Sequence, residues 1–248
     1  MKPPGWLCAR PIAHRGLHAE RHGVVENSLA AAEAAIAANY AIECDVGLTR
    51  DGEAAVFHDE TLERLTPVAA NLRDLSADEI TAIGFRGGEG RIPLLGDLLG
   101  TVAGRVPLLV EIKSRFDADQ RLARRVAAVI ADYRGPLALQ TFDPMVLAEM
   151  RALQTGRPLG LIGEARYDGP DWIGLPAAVR QQLATISDTP QTRPDFLAWN
   201  VADLPHPTVD WWRRTRDLPL LVWTVRTPQQ AEHTRRLADQ IIFEGFSA

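Results

Sequence analysis

The chain has 248 residues, an apolar share of 46% and a formal net charge of −5, a length that admits one large or two small domains and a composition that supports a real hydrophobic core. With a pI of about 5.7 and no basic patch, it lacks the electrostatic footprint of a nucleic-acid binder and is not drawn to an anionic membrane surface. No apolar run reaches the roughly 18 residues of a membrane span, the N-terminal stretch does not read as a signal peptide, and Cys8 and Cys44 lack metal-knuckle spacing, so a soluble cytoplasmic protein with free thiols and no stable membrane association is expected.

In chain order, strand-length apolar runs alternate with helix-like segments, the α/β pattern. Residues 10–14 read as a first strand ending in His14-Arg15-Gly16, and Leu29–Asn39 as an alanine-rich helix capped by Asn27 or Ser28. Glu26 and Asn27 either cap that helix or support Arg15 and the candidate metal ligands by hydrogen bonds, with capping favoured for Asn27. A strand over 41–46 leads to Asp51-Gly52, a two-residue hairpin signal. The return at Ala54–Phe57 follows too soon for a parallel crossover, which needs about a dozen residues. An antiparallel excursion is therefore expected, within an insertion over about 47–91 that carries a capping box at Ser76-Ala77-Asp78-Glu79. Helices are expected over 94–102, 119–133, 144–153, 176–185 and 228–238, with another containing Trp211 and Trp212. Further strands are expected over 106–112, 137–141, 159–162, 196–200, 220–225 and 240–243. With the hairpin return set aside, eight strands alternate with helices. That predicts one (β/α)8 TIM-barrel domain over residues 1–248, with a small insertion after the second strand.

Candidate chemistry falls at the C-terminal ends of these strands, where barrel enzymes place their sites. Residues two apart on a strand share a face, so Glu43 and Asp45 project together. If Asp51-Gly52 form the turn, Asp45 lies opposite His58. Glu111 sits in the run Val-Pro-Leu-Leu-Val-Glu-Ile-Lys, where an unpaired acid is costly to bury. Three gathered carboxylates repel one another unless a cation joins them, and an all-oxygen set suits one hard divalent ion, Mg²⁺ or Ca²⁺. His14 and His58 suit general acid–base work, while Arg15 and Lys113 offer positive charge to an anionic oxygen such as phosphate. His18, His22, His206 and His233 read as surface residues. Trp172, Trp211 and Trp212 read as packing, or as the wall of a groove for an acyl chain.

The motifs His14-Arg15-Gly16, Glu26-Asn27-Ser28, Glu43-Cys44-Asp45-Val46, Leu48-Thr49-Arg50-Asp51-Gly52, His58-Asp59, Leu62-Glu63-Arg64-Leu65-Thr66 and Glu111-Ile112-Lys113 resemble, in order and spacing, those of glycerophosphodiester phosphodiesterases. The resemblance is strong over 10–66 and 92–114 and weak over 155–215. It implies a TIM barrel with an insertion, a divalent cation on Glu43, Asp45 and Glu111, and His14 and His58 as the acid–base pair. It implies phosphate contacts from Arg15 and Lys113, and a glycerol pocket bordered by Phe142 and Trp223, which could equally belong to the core. The reaction implied is hydrolysis of a small-molecule glycerophosphodiester to glycerol 3-phosphate and an alcohol. His14 is read as base and His58 as acid, with water or the substrate's own hydroxyl as nucleophile. The alternatives are a lysophospholipase D or sphingomyelinase D-type diesterase on the same barrel, or a non-catalytic phosphodiester-binding protein. The chain departs from the family pattern at Glu244 and Phe246, after the last strand, where an Asp and often a Pro are common, at Arg226, where Asn is frequent, and at Thr141, which replaces a common Ser.

Overall fold

The computed structural model describes residues 4–169, 172–185 and 192–248. Eight parallel strands close into a barrel: β1 (Ile12–Ala13), β2 (Ala41–Leu48), β4 (Leu108–Ile112), β5 (Leu137–Thr141), β6 (Leu159–Gly163), β7 (Phe196–Asn200), β8 (Leu220–Val225) and β9 (Gln240–Phe243). β1 closes the ring, pairing with both β2 and β9. The remaining strand, β3 (Ala54–Val56), hangs antiparallel from the end of β2. Helices α1 (Leu29–Ala37), α3 (Leu95–Val102), α4 (Arg121–Val129), α5 (Pro144–Ala152), α6 (Ala177–Thr185), α7 (Pro207–Arg216) and α8 (Pro228–Thr234) link successive barrel strands. The expected barrel and insertion are both present. α4 and α8 are shorter than their apolar periodicity predicts, and the first strand shrinks to two residues after Pro11.

The strand period of two sorts the core into layers. Ile12, Ala41, Leu109, Ala138, Ile162, Ala198, Leu221 and Ile242 form one buried cluster drawn from all eight barrel strands, so these side chains point into the barrel. Leu7 and half-buried Trp6 join the same cluster from the N-terminal segment. Alternate residues face outward and meet the helices in a larger cluster that includes Val110, Leu139, Trp199 and Trp212. On seven of the eight strands the inward position two residues further along, at the C-terminal end, is polar or charged, and on β8 it is Trp223. This step leads from Ile12 to His14, from Ala41 to Glu43, from Leu109 to Glu111 and from Ile242 to Glu244. The barrel is therefore apolar below and ionisable at its mouth.

The interior leaves no slack at Gly160, where an added Cβ would lie 2.1 Å from the fully buried Phe196 ring. Gly160→Ala is expected to destabilise the protein by about 1–3 kcal/mol through overpacking. A fall in the urea midpoint at unchanged slope checks this.

The insertion has its own small core of Phe57, Leu62, Leu72, Ile80, Phe85 and Ile92. Its helix α2 (Ala77–Thr81) begins at the expected capping box of Ser76 and Glu79. The hairpin register differs from expectation. Val46 pairs with Val56, and the Phe57 amide donates to the Asp45 carbonyl at 3.1 Å, so Asp45 faces Phe57 and not His58. The turn is the reason. Thr49 pairs with Glu53 around three residues, with Gly52 at φ +92°, a loop type that adds one residue to the two-residue turn. One residue of slip exchanges the faces of the strand. His58 reaches the mouth because the chain leaves the ladder after Val56 and bends.

Candidate active site

The site begins at the junction of β1 and α1. Arg15 and Asn27 both adopt left-handed backbone, at φ 54° and 55°. Gly16 follows at φ +79°, and a Cβ there would lie 2.8 Å from the Ala31 side chain, which accounts for the glycine of His-Arg-Gly. This turn aims the Arg15 amide at Glu43 Oε2, 3.0 Å away. Ser28 caps α1 by accepting from the Ala31 amide at 3.1 Å. That corrects the expected capping by Asn27, whose side chain instead donates to Asp45 Oδ2 at 2.9 Å and accepts from the Asp45 amide at 3.1 Å.

β2 and β4 are in register, with Asp45 beside Glu111. Glu43, Asp45 and Glu111 are buried, and each offers a carboxylate oxygen within 4.8 Å of the others. Lys113 Nζ bridges two of them, at 2.8 Å from Asp45 Oδ1 and 2.6 Å from Glu111 Oε1. Arg15 Nε stands 3.4 Å from Asp45 Oδ2. Glu43 makes no ion pair among the described residues. Burial, reinforced by the charges of Asp45 and Glu111, pushes its carboxyl well above the usual range. Burial pushes Asp45 the same way, but Lys113, His58, Arg15 and His14 outweigh it and hold Asp45 well below its usual value. Lys113 stays charged, because Asp45 and Glu111 more than offset its burial. The cluster is thus short of positive charge at Glu43, and its donors are all oxygen. That fits a hard divalent cation held by Glu43, Asp45 and Glu111.

Both histidines lie close enough to Asp45 to act on its carboxylate. Each ties Nδ1 to a carboxylate that an arginine also holds. His14 Nδ1 is 2.6 Å from Glu244 Oε2, and Arg226 Nε donates to Glu244 Oε1 at 2.8 Å. His58 Nδ1 is 2.7 Å from Asp59 Oδ1, and Arg64 donates to Asp59 at 2.6 and 3.0 Å. Arg64 continues to Glu26 at 2.9 and 2.7 Å, and Glu26 accepts from Arg15 at 2.6 Å. An unbroken chain of charges therefore fastens the insertion to the barrel. Glu26 supports Arg15, one of its two expected roles, and Arg64 gains a role that sequence reasoning left unassigned. Burial pushes the His14 pKa down against the opposing pull of Glu244, so its neutral form is favoured.

The opposite side of the mouth is aromatic. Phe142 packs on Trp223 at 5.6 Å, on Trp172 at 5.0 Å and on Tyr167 at 6.4 Å between ring centroids. Phe142 and Trp223 are half-buried and cap the interior stack, so each belongs to the core below and to the mouth above. Trp172 is a mouth residue and donates through Nε1 to Glu164. Trp212 is buried in the outer core on α7, with Trp211 packed edge-on to it at 5.5 Å. Buried Gln140 pairs in register with Glu111, and its Oε1 meets no partner among the described residues.

His18 is not a plain surface residue. It is partly buried, with Nε2 3.6 Å from Glu244 Oε2. His22 and His233 are exposed as expected, while His206 caps α7 and stacks against Trp199. Sequence reasoning gave Glu244 and Arg64 no role beyond their places in the family pattern, and missed Glu164, Gln140 and Tyr167. Glu244, Glu164 and Gln140 stand on the inward period of their strands, two residues beyond Ile242, Ile162 and Ala138. That period was the available signal. Tyr167 stands in a loop and carries none, while Arg64 stands in a loop within the Leu62–Thr66 motif. Thr141 spends its hydroxyl on the Ile112 carbonyl at 2.9 Å, joining β5 to β4.

Several known proteins resemble this chain in sequence or in fold. A glycerophosphodiester phosphodiesterase of Caldanaerobacter subterraneus subsp. tengcongensis is 29% identical over 161 residues, covering 61% of this chain and 65% of its own length. A protein of Bacillus altitudinis with the same name is 33% identical over 109 residues, 41% of this chain and 43% of its own. The matched regions thus span less than two thirds of these relatives. Among solved structures, an Oleispira antarctica phosphodiesterase in complex with the product sn-glycerol-3-phosphate superposes with a TM-score of 0.75 at 19% identity, covering 94% of this chain and 91% of that one. A glycerophosphodiester phosphodiesterase of Thermotoga maritima gives 0.70 at 24% identity, covering 94% and 92%. At these identities the structures speak for the barrel. The profile of the glycerophosphoryl diester phosphodiesterase family matches residues 14–243, from the first candidate histidine to the end of β9. With nearly the whole chain matched, the protein belongs to the glycerophosphoryl diester phosphodiesterase family.

Proposed function

We propose that the protein hydrolyses glycerophosphodiesters to glycerol 3-phosphate and an alcohol, with a divalent cation held by Glu43, Asp45 and Glu111. The observation that carries this reading is the convergence, at one barrel mouth, of three buried carboxylates and two histidines with Nδ1 already engaged. When bound, the cation supplies Lewis-acid charge to phosphate oxygens, and Mg²⁺ or Ca²⁺ suits the donor set.

The residues themselves do the proton work. Arg15 and Lys113 hold the anionic phosphate. A carboxylate accepts and does not donate, so Glu244 and Asp59 fix the ring proton of each histidine on Nδ1 and leave Nε2 facing the mouth. His14, kept neutral by burial, takes at Nε2 the proton of the nucleophile, water or the substrate's own hydroxyl, and His58 gives its Nε2 proton to the leaving alkoxide. Where the substrate's hydroxyl attacks, the alcohol leaves behind a cyclic phosphate, which water then opens to glycerol 3-phosphate with the two histidines in exchanged roles. The Phe142–Trp223 wall supports the apolar edges of the substrate carbons.

The direct test is a panel of glycerophosphocholine, glycerophosphoethanolamine, glycerophosphoglycerol and lysophosphatidylcholine, each with Mg²⁺ and with Ca²⁺. Release of glycerol 3-phosphate from at least one of the first three is the expected result. Turnover of lysophosphatidylcholine alone would move the assignment to a lysophospholipase D. No turnover of any of the four, with the metal demonstrably bound, would end it.

A further inference from the structure

Arg226 follows β8 and Glu244 follows β9, and their side chains meet at 2.8 Å on the outer side of His14. The backbone sets this juxtaposition. The Glu244 amide donates to the Val225 carbonyl at 3.0 Å, and the His14 amide donates to the Phe243 carbonyl at 2.9 Å. Arg226, Glu244 and His14 thus stand on three adjacent strand ends, β8, β9 and β1. One Glu244 oxygen meets Arg226 and the other meets His14 Nδ1 at 2.6 Å. The His18 ring lies 3.6 Å from the second oxygen and shields it from solvent on that side.

We propose that Glu244 is the positioning residue for His14, and that Arg226 fixes the carboxylate so that one oxygen is presented to Nδ1. The inference rests on the reading of His14 as a proton-transfer group. Its reasoning is geometric. An imidazole held at one nitrogen by an acceptor keeps one tautomer and one ring plane, and its other nitrogen is aimed. Without the carboxylate the ring can rotate and exchange tautomers, so a productive Nε2 lone pair is present for only part of the time. The glutamate reaches from the end of β9 to the end of β1, and Arg226 anchors its other oxygen. Asp59 with Arg64 does the same for His58 from within the insertion.

The test uses the full chain with Glu244→Leu, Glu244→Asp and Arg226→Gln, read by steady-state kinetics on glycerophosphocholine and by nitrogen NMR of the His14 ring. Glu244→Leu is expected to lower kcat about 10- to 100-fold with KM moved less than about threefold, and to abolish the single Nδ1–H tautomer. Glu244→Asp, which restores an acceptor, recovers part of the lost kcat and the tautomer. Arg226→Gln loses less than Glu244→Leu, because His14 keeps its acceptor. A kcat for Glu244→Leu within about twofold of wild type, or an unchanged His14 tautomer in that variant, overturns the proposal. So does a larger loss from Arg226→Gln than from Glu244→Leu. If the wild-type protein turns over no glycerophosphodiester, the proposed function fails while the NMR readout still decides the positioning role. Glu244 is partly exposed, so unfolding is not expected, and recovery by Glu244→Asp separates positioning from any general loss of structure.

Discussion

His14→Ala is expected to lower kcat for glycerophosphodiester hydrolysis by about 10²- to 10⁴-fold, the usual contribution of a positioned acid–base group. The fold should survive, because His14 lies past the end of β1 and its partner Glu244 remains held by Arg226. His58→Ala should fall in the same range. The double variant should lose little beyond the worse single, since the two groups serve one proton-transfer cycle and residues acting as a unit are not additive. Glycerol 3-phosphate affinity, measured by calorimetry, should change far less than kcat, because Arg15 and Lys113 are untouched. If either single variant keeps kcat within tenfold of wild type, that histidine is not a proton-transfer group. If affinity collapses in parallel with kcat, the histidines bind substrate and another group carries the proton.

Glu43→Gln should separate the cation from the fold. Without a cation, Glu43 is the member of the acid cluster that burial and its neighbours disfavour most as an anion. A carboxyl whose folded pKa exceeds its unfolded value keeps the protein more stable when protonated. Stability of the metal-free protein is therefore lost as pH rises from 4.5 toward the folded value. Glutamine removes that penalty at nearly the same shape. The metal-free variant should melt at or above the wild-type temperature at pH 7, and its melting temperature should depend less on pH. Wild type should gain about 2.7 kcal/mol from a cation at a hundred times its Kd, and Glu43→Gln should lose most of that gain. Its kcat should fall by at least about 100-fold, in keeping with several kcal/mol of lost charge stabilisation. Asp45→Asn makes the contrast. Asp45 already balances Lys113 and Arg15, so its loss should destabilise the metal-free protein as well. A cation-induced rise in melting temperature that survives in Glu43→Gln would remove Glu43 from the ligand set.

Much of this was legible in the primary structure, for reasons tied to particular residues. The apolar runs of β4, β5 and β8 are buried on both faces, so they read as continuous strands. Glu43, Asp45 and Glu111 stood out because acids are costly in such runs unless something holds them. The period of two then placed Glu43 and Asp45 on one face. The same reasoning misjudged the hairpin, because Asp51-Gly52 signals a two-residue turn and the chain makes a three-residue one with Thr49 and Glu53 at its base.

By itself, then, the sequence determined the barrel, its strand order and the identity of the acids and histidines at its mouth. These depend on local periodicity and on the cost of burying charge, both of which can be read along the chain. Only the tertiary structure decided how the histidines are held. Glu244 meets His14 across 230 residues, and Arg64 meets Glu26 across 38. Neither pair leaves a mark in local pattern. Ring closure brings β9 against β1, and packing of the insertion lays Arg64 over Glu26. A contact between residues far apart in sequence exists only once the chain has folded around it.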